Sequence, residues 1–265
     1  MKTPDFSTFI TRYLTHYLPI QRNLSSNTIR SYRDTFKLLL EFCRDEKGFK
    51  IAKIKLASLD KKCIEDFLLW LTNTRGASPS TYNQRLCAIH AFFNYVMTED
   101  PGYMEHCIQI LKIPSLVAPA PPAQYLTADN LKLLLSMPDI STRKGRRHLT
   151  LLTVLYDTAA RVSELVDVCV RDIRLDFPAV ITLHGKGRKV RSVPLMKQTA
   201  ELLKGYLAEN HIDPRFHPDM PLFWNARGQK LTRSGITYIV QKYAEMAKAT
   251  SPGMPAKISP HVFRH

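Results

Sequence analysis

The sequence predicts a mainly α protein in two parts, an all-helical first domain and an α+β second domain with one small sheet. Three observations lead there. Apolar residues recur at helical spacing through most of the first 112 residues. Prolines at 114, 119, 121 and 122 then crowd among small residues, where no helix can continue. The second half returns to helical periodicity, broken by one pair of strand-like runs around two glycines. The expected divisions are a helical domain over 1–112, a semi-rigid linker over 113–125 and a second domain over 126–265.

Taken in order, Phe6, Phe9, Ile10, Tyr13, Leu14 and Tyr17 form one helical stripe expected to end before Pro19. Ser26 is expected to cap a helix reaching Asp45, with Ile29, Tyr32, Phe36, Leu39, Leu40 and Cys43 inside and Gly48 closing it. Asp60 opens a third helix around Ile64, Phe67, Leu68 and Leu71. Ser78-Pro79 opens a fourth around Tyr82, Leu86, Ile89, Phe92, Phe93 and Val96. Met104 to Leu111 makes a fifth. Beyond the linker, Thr127 caps a helix to Met137, and Leu149, Leu152, Leu155 and Tyr156 mark a longer one. Thr199 to Leu207 and Ile236 to Met246 follow, the last with Ile239, Val240 and Tyr243 inward.

Lys and Arg number 38 against 23 Asp and Glu, a formal charge of +15. Before Val117/Ala118 there are 16 basic and 11 acidic residues, and after it 22 and 12. Both parts are positive, the second more so, which points to nucleic acid as partner. No run of apolar residues has spanning length and the amino terminus is too polar for an export signal, so a cytoplasmic protein without membrane contact is expected. Cys43, Cys63, Cys87, Cys107 and Cys169 are widely spaced and odd in number. They read as small buried apolar residues, not as ligands or bridges. Neither Zn spacing nor an acidic metal cluster nor a Walker-type loop is present, so no metal or cofactor is expected.

Three stretches carry chemistry. In Tyr156-Asp157-Thr158-Ala159-Ala160-Arg161-Val162-Ser163-Glu164-Leu165 a helix ends, turns and restarts. Arg161 then sits at the rim of a core, able to fork onto two oxygens of one phosphate, with Glu164 one turn on to brace it. In His184-Gly185-Lys186-Gly187-Arg188-Lys189-Val190-Arg191 the glycines turn a hairpin whose strands are Val180–Leu183 and Val190–Pro194, with Lys186 at its tip. The sequence closes on Ser259-Pro260-His261-Val262-Phe263-Arg264-His265, where Ser259 and Pro260 start a helix that puts His261 and Arg264 on one face. Two arginines, a lysine and a histidine around one phosphate form a metal-free electrostatic clamp for phosphoryl transfer.

With these residues in view, the chain resembles the tyrosine recombinases, the phage-type integrases and their relatives. That family shows Arg in a Thr-Gly-x-Arg-x-Ser-Glu-Leu turn, Lys in a Gly-Lys-Gly-x-Lys-x-Arg hairpin, and His-x-x-Arg-His; Ala159 stands where it usually has Gly. The resemblance implies a SAM-like core-binding domain followed by a catalytic domain. It implies that a Tyr hydroxyl attacks the scissile phosphate, expels a 5′-hydroxyl and leaves a 3′-phosphotyrosyl link without ATP or metal. Arg161 and Arg264 would stabilise the non-bridging oxygens, Lys186 would protonate the leaving oxygen and His261 would assist, with Glu164 and His265 in support. Four protomers on two duplexes would exchange strands. In the family a second His or Trp and then the Tyr follow His-x-x-Arg, whereas this sequence stops at His265. The expectation is a polypeptide that binds double-stranded DNA without cutting it.

The expected DNA contacts are Asn27, Arg30 and Arg33 on the second helix and Thr81, Asn83 and Arg85 on the fourth. Arg143, Lys144, Arg146 and Arg147 are expected in an exposed loop, and Arg188, Lys189 and Arg191 in the hairpin. Tyr238 and Tyr243, the tyrosines nearest the clamp in sequence, are expected to pack in the core and not to serve as displaced nucleophiles. A non-catalytic DNA-binding regulator on the same fold is one rival, and would have no need of Arg161. A type IB topoisomerase is another, disfavoured by the amino-terminal domain.

Overall fold

The structure, a computed structural model, describes residues 5–118, 125–185, 187, 189–251, 253–255 and 258–264, with the backbone alone for Asp5 and Arg264. It forms two compact units, Met1–Ala120 and Pro121–His265.

The first unit is helical. Helix α1 (Asp5–Arg12) continues into a π-helical stretch, Tyr13–Gln21, that runs through Pro19. The expectation of a stop before Pro19 fails for a definable reason. Proline lacks the N–H of a regular turn and crowds the carbonyl four residues back, and widening the turn accommodates both. The wider spacing persists at its end, where Arg22 N donates to Tyr17 O at 2.9 Å. Tyr13, wholly buried, opens this stretch with ring centroids 5.3 Å from Phe92 and 5.1 Å from Tyr95.

Helix α2 (Ser26–Asp45) is capped by Ser25, one residue earlier than expected, whose Oγ accepts from Thr28 N. Gly48 at φ +67° takes the left-handed position that closes it, and Phe49 N returns to Cys43 O. Helices α3 (Lys61–Asn73) and α4 (Pro79–Glu99) begin at Asp60 and Ser78 as expected, and α5 (Met104–Leu111) follows. Phe36, Phe67, Phe92 and Phe93 are buried, so these rings are core, while Tyr32 is half-buried. Cys43, Cys63 and Cys107 are buried, but Cys87 is exposed and Cys169 only partly covered. The expected linker begins inside this unit: Ile113 is buried, and Asn83 grips Leu116 with two hydrogen bonds of 2.8 Å, Nδ2 to its carbonyl and Oδ1 from its N–H.

The second unit starts with α6 (Ala128–Ser136), capped by Thr127. Helix α7 (Arg143–Thr158) is capped by Thr142, whose Oγ1 accepts from Gly145 N at 3.0 Å. The basic run at 143–147 is therefore the first turn of a helix and not the loop expected. A glycine is required there because a Cβ on Gly145 would overlap the Asp139 carbonyl. Helix α8 (Val162–Asp167) packs on α10 (Arg233–Thr250) and on a three-stranded antiparallel sheet, β1 (Ile173–Arg174), β2 (Val180–His184) and β3 (Val190–Pro194). The two-residue β1 was not anticipated. Helix α9 (Lys197–Glu209) lies along α7, and Pro260–Arg264 forms a 3₁₀ turn in place of the α-helix expected. Leu151, Leu152, Leu155, Leu165, Ile181, Leu183, Leu203 and Val240 make the core. Tyr243 belongs to it, but Tyr238 is 67% exposed, so core packing does not account for it.

Candidate functional site

The site grows from the turn between α7 and α8. Ala159 adopts φ +46°, ψ 35°, the left-handed conformation in which a Cβ is disfavoured and Gly is the usual residue. That reversal brings Arg161 to the N-cap of α8. Glu164, at the third helical position, reaches back so that Oε2 accepts from Arg161 N at 2.8 Å, half of a capping box. Its Oε1 accepts from Arg161 Nη1 at 2.8 Å.

A second arginine completes the arrangement. Arg191 donates Nη1 to Glu164 Oε1 at 2.9 Å and Nη2 to Oε2 at 2.8 Å, a two-toothed pairing suited to a planar guanidinium. The sheet register explains its direction. Arg191 stands opposite Leu183 and two residues from Val193, which stands opposite Ile181. Cross-strand partners share a face, so Arg191 points with these residues toward α8. The hairpin closes against the same carboxylate: Gly185 N donates to Lys189 O at 2.7 Å, and a Cβ on Gly185 would come within 3.1 Å of Glu164 Oε1.

Glu164 is only 2% exposed, while the side chains of Arg161 and Arg191 are 48% and 39% exposed. Burial alone would raise the carboxyl, but hydrogen bonds from Arg191 and from the backbone and side chain of Arg161 outweigh it and bring Glu164 to about 2. One carboxylate between two guanidiniums leaves a net positive charge. The N–H groups of Arg161 beyond Nη1 and the backbone have no protein partner among the described residues, so a rigidly held fork faces solvent, placed to take an anion.

Other expected residues divide into several groups. The 3₁₀ turn carrying His261 is anchored by buried Val262 and Phe263 against α7 and α10. His261 itself is exposed and has no hydrogen bond to the Arg161–Glu164–Arg191 group. Lys186, Arg188, His265 and the Arg264 side chain lie outside the described residues. Asn27, Arg30, Arg33 and Lys189 are exposed, and Thr81 is half-buried. Asn83 is committed to Leu116, and Arg85 Nη1 donates to Ser31 O and Thr35 Oγ1 at 3.1 and 3.0 Å. Arg146 is committed to Glu209. Sequence reasoning missed the inward role of Arg191, although its alternation with Val193 carried the signal. It also missed His184, which ends β2 with Nε2 3.3 Å from Asp172 Oδ1. Among the described residues no group of three His, Cys, Asp or Glu could hold a metal ion, and no helix is long and apolar enough to cross a membrane.

A helical unit of this design followed by an arginine turn braced against a hairpin defines a recombinase fold. The profile of the phage integrase family matches residues 124–265, and that of the N-terminal SAM-like domain of phage integrases matches residues 10–102. The chain belongs to the phage integrase family, the tyrosine recombinases of site-specific DNA recombination. It is 37% identical over 256 residues to y4rD of Sinorhizobium fredii (strain NBRC 101917 / NGR234), named as an integrase/recombinase, covering 96% of this chain and 90% of the relative. It is 30% identical over 254 residues to tyrosine recombinase XerD of Listeria monocytogenes serotype 4b, covering 94% and 80%. Its fold is similar to that of the XerH site-specific recombinase bound to palindromic difH substrate, with a TM-score of 0.70 at 22% identity over 92% of this chain and 68% of that one. The Tn1549 transposon integrase in complex with circular intermediate DNA gives a TM-score of 0.71 at 15% identity over 99% and 85%.

Proposed function

We propose that the chain binds duplex DNA at a recombination site and holds one phosphodiester at Arg161, where the recombinase makes and breaks a 3′-phosphotyrosyl bond. The observation that carries this is the Glu164 brace, which fixes the guanidinium of Arg161 while leaving its outward N–H groups for two phosphate oxygens. In the reaction the Tyr oxygen bonds to phosphorus and the bond to the 5′ oxygen breaks. Arg161 and Arg264 neutralise the non-bridging oxygens, Lys186 delivers a proton to the departing oxygen, and His261 donates to the phosphate. Reversal with a different 5′-hydroxyl rejoins the strand. A homotetramer on paired sites in the cytoplasm is part of the same reading.

This polypeptide carries the braced Arg161 on which the binding rests. The test titrates it against a labelled duplex and measures affinity. Saturable duplex binding is expected, and Arg161→Gln should weaken binding about tenfold or more, the scale of one charge-assisted contact. Failure of the unmodified polypeptide to bind duplex would overturn the proposal. Undiminished binding by Arg161→Gln would favour a regulator that merely keeps the fold.

A further inference from the structure

At the opposite end of α7 from Arg161 the second unit has a concave pocket of about 670 Å³, lined by Arg143, Lys144, Arg147, Asn210, Trp224 and Asn225 among others. Its three cations share a property: none is paired with a carboxylate among the described residues. Arg143 Nη2 donates to the uncharged Asn210 Oδ1 at 2.8 Å. Arg147 donates Nη1 to Trp224 O at 2.7 Å and Nη2 to His148 Nε2 at 3.1 Å, while its buried Nε has no hydrogen-bond partner among the described residues. Lys144 is exposed and makes no ion pair with a described residue. Their neighbour Arg146 shows the contrast, with Nε and Nη2 on Glu209 Oε1 at 3.0 and 2.5 Å and Nη1 on two backbone carbonyls. Glu209 is thereby occupied outside the pocket.

The surplus charge is felt by the histidine behind it. His148 is held down to about 4, chiefly by burial and then by Arg147, Lys144 and Lys242. Because Nε2 accepts from Arg147, the ring is the neutral Nδ1–H tautomer and donates to Tyr243 Oη at 2.9 Å. A neutral histidine adds no positive charge of its own and fixes the inner guanidinium. Like charges gathered without a counter-charge repel one another, and an anion relieves that repulsion.

We propose that this pocket is a second phosphate site of the catalytic unit, taking a backbone phosphate of the same duplex DNA that engages Arg161. The 16 residues of α7 separate the two by about 24 Å, roughly seven nucleotides along one strand at about 3.4 Å each. The contact carries no base information. It adds affinity and fixes where along the duplex the unit sits. The proposal rests on the functional reading above.

The experiment measures dissociation constants of the 265-residue chain for a labelled duplex across a salt series. It compares the unmodified chain with the double variant Arg143→Gln/Lys144→Gln and with Arg215→Gln, each checked for an unchanged circular dichroism spectrum. The double variant should flatten the log–log salt dependence by about 0.9, one phosphate contact, and weaken binding severalfold regardless of duplex sequence. Arg215→Gln should leave the slope unchanged, since its guanidinium is already paired with Asp213 at 2.7 Å. A double variant with the original slope and affinity overturns the pocket while leaving Arg161 untouched, including the outcome in which it loses only an acidic protein partner. Absence of any duplex binding by the unmodified chain overturns the functional reading and this one with it.

Discussion

Replacing Glu164 with Gln tests the centre of the site. The carboxylate is almost fully buried and accepts four hydrogen bonds, two from Arg161 and two from Arg191. An amide accepts through one oxygen only and turns its NH2 against guanidinium N–H groups. The fall of the Glu164 carboxyl from its ordinary 4.5 to about 2 corresponds to about 3 kcal/mol of folding free energy at neutral pH. At about 3 °C per kcal/mol for a unit of this size, Glu164→Gln should lower its melting temperature by about 10 °C near pH 7. The sign with pH follows from the depressed value. The stabilisation is complete above 4.5 and is lost as pH falls toward 2. Near pH 3 less than half should remain, so the gap between the two proteins narrows to about 4 °C. Calorimetry of both proteins at the two pH values is the assay. A gap that is absent near pH 7, or equally wide near pH 3, refutes the reasoning.

Two further substitutions address the same region. Ala159→Gly relieves a left-handed residue at φ +46° and should raise the unfolding free energy by about 1 kcal/mol, read in a urea titration; a destabilised variant would contradict that backbone assignment. Gly145→Ala forces a methyl into the Asp139 carbonyl at the start of α7. It should cost about 3 kcal/mol or more in the same titration, whereas Gly187→Ala, with open space around it but φ +75°, should cost only about 1 kcal/mol.

Much of this architecture could be read from residue order, because many helices in both units start at local signals. Asp60, Ser78 and Thr127 each cap the helix they precede, and the apolar faces after them are the buried ones. Where the reading failed, a specific contact that periodicity and charge do not register decided the outcome. Pro19 stays helical because a widened turn keeps Leu18 in the core. The basic run at 143–147 is helical because Gly145 packs on Asp139 and Thr142 caps it, both invisible to a charge count. Arg161 and Glu164 were legible from their three-residue spacing. Arg191 was seen as one more surface cation because its partner lies 27 positions away. Asn83 and Arg85 likewise looked like groove donors until partners from distant segments claimed them.

The grip of Asn83 on Leu116 has a practical corollary for anyone who wishes to study the halves separately. Cutting at Lys112, where the proline count suggests a border, would discard the buried side chain of Ile113 and strip α4 of both hydrogen bonds to the strap that follows. An amino-terminal fragment ending just past Val117 keeps that strap fastened, and is the piece to express.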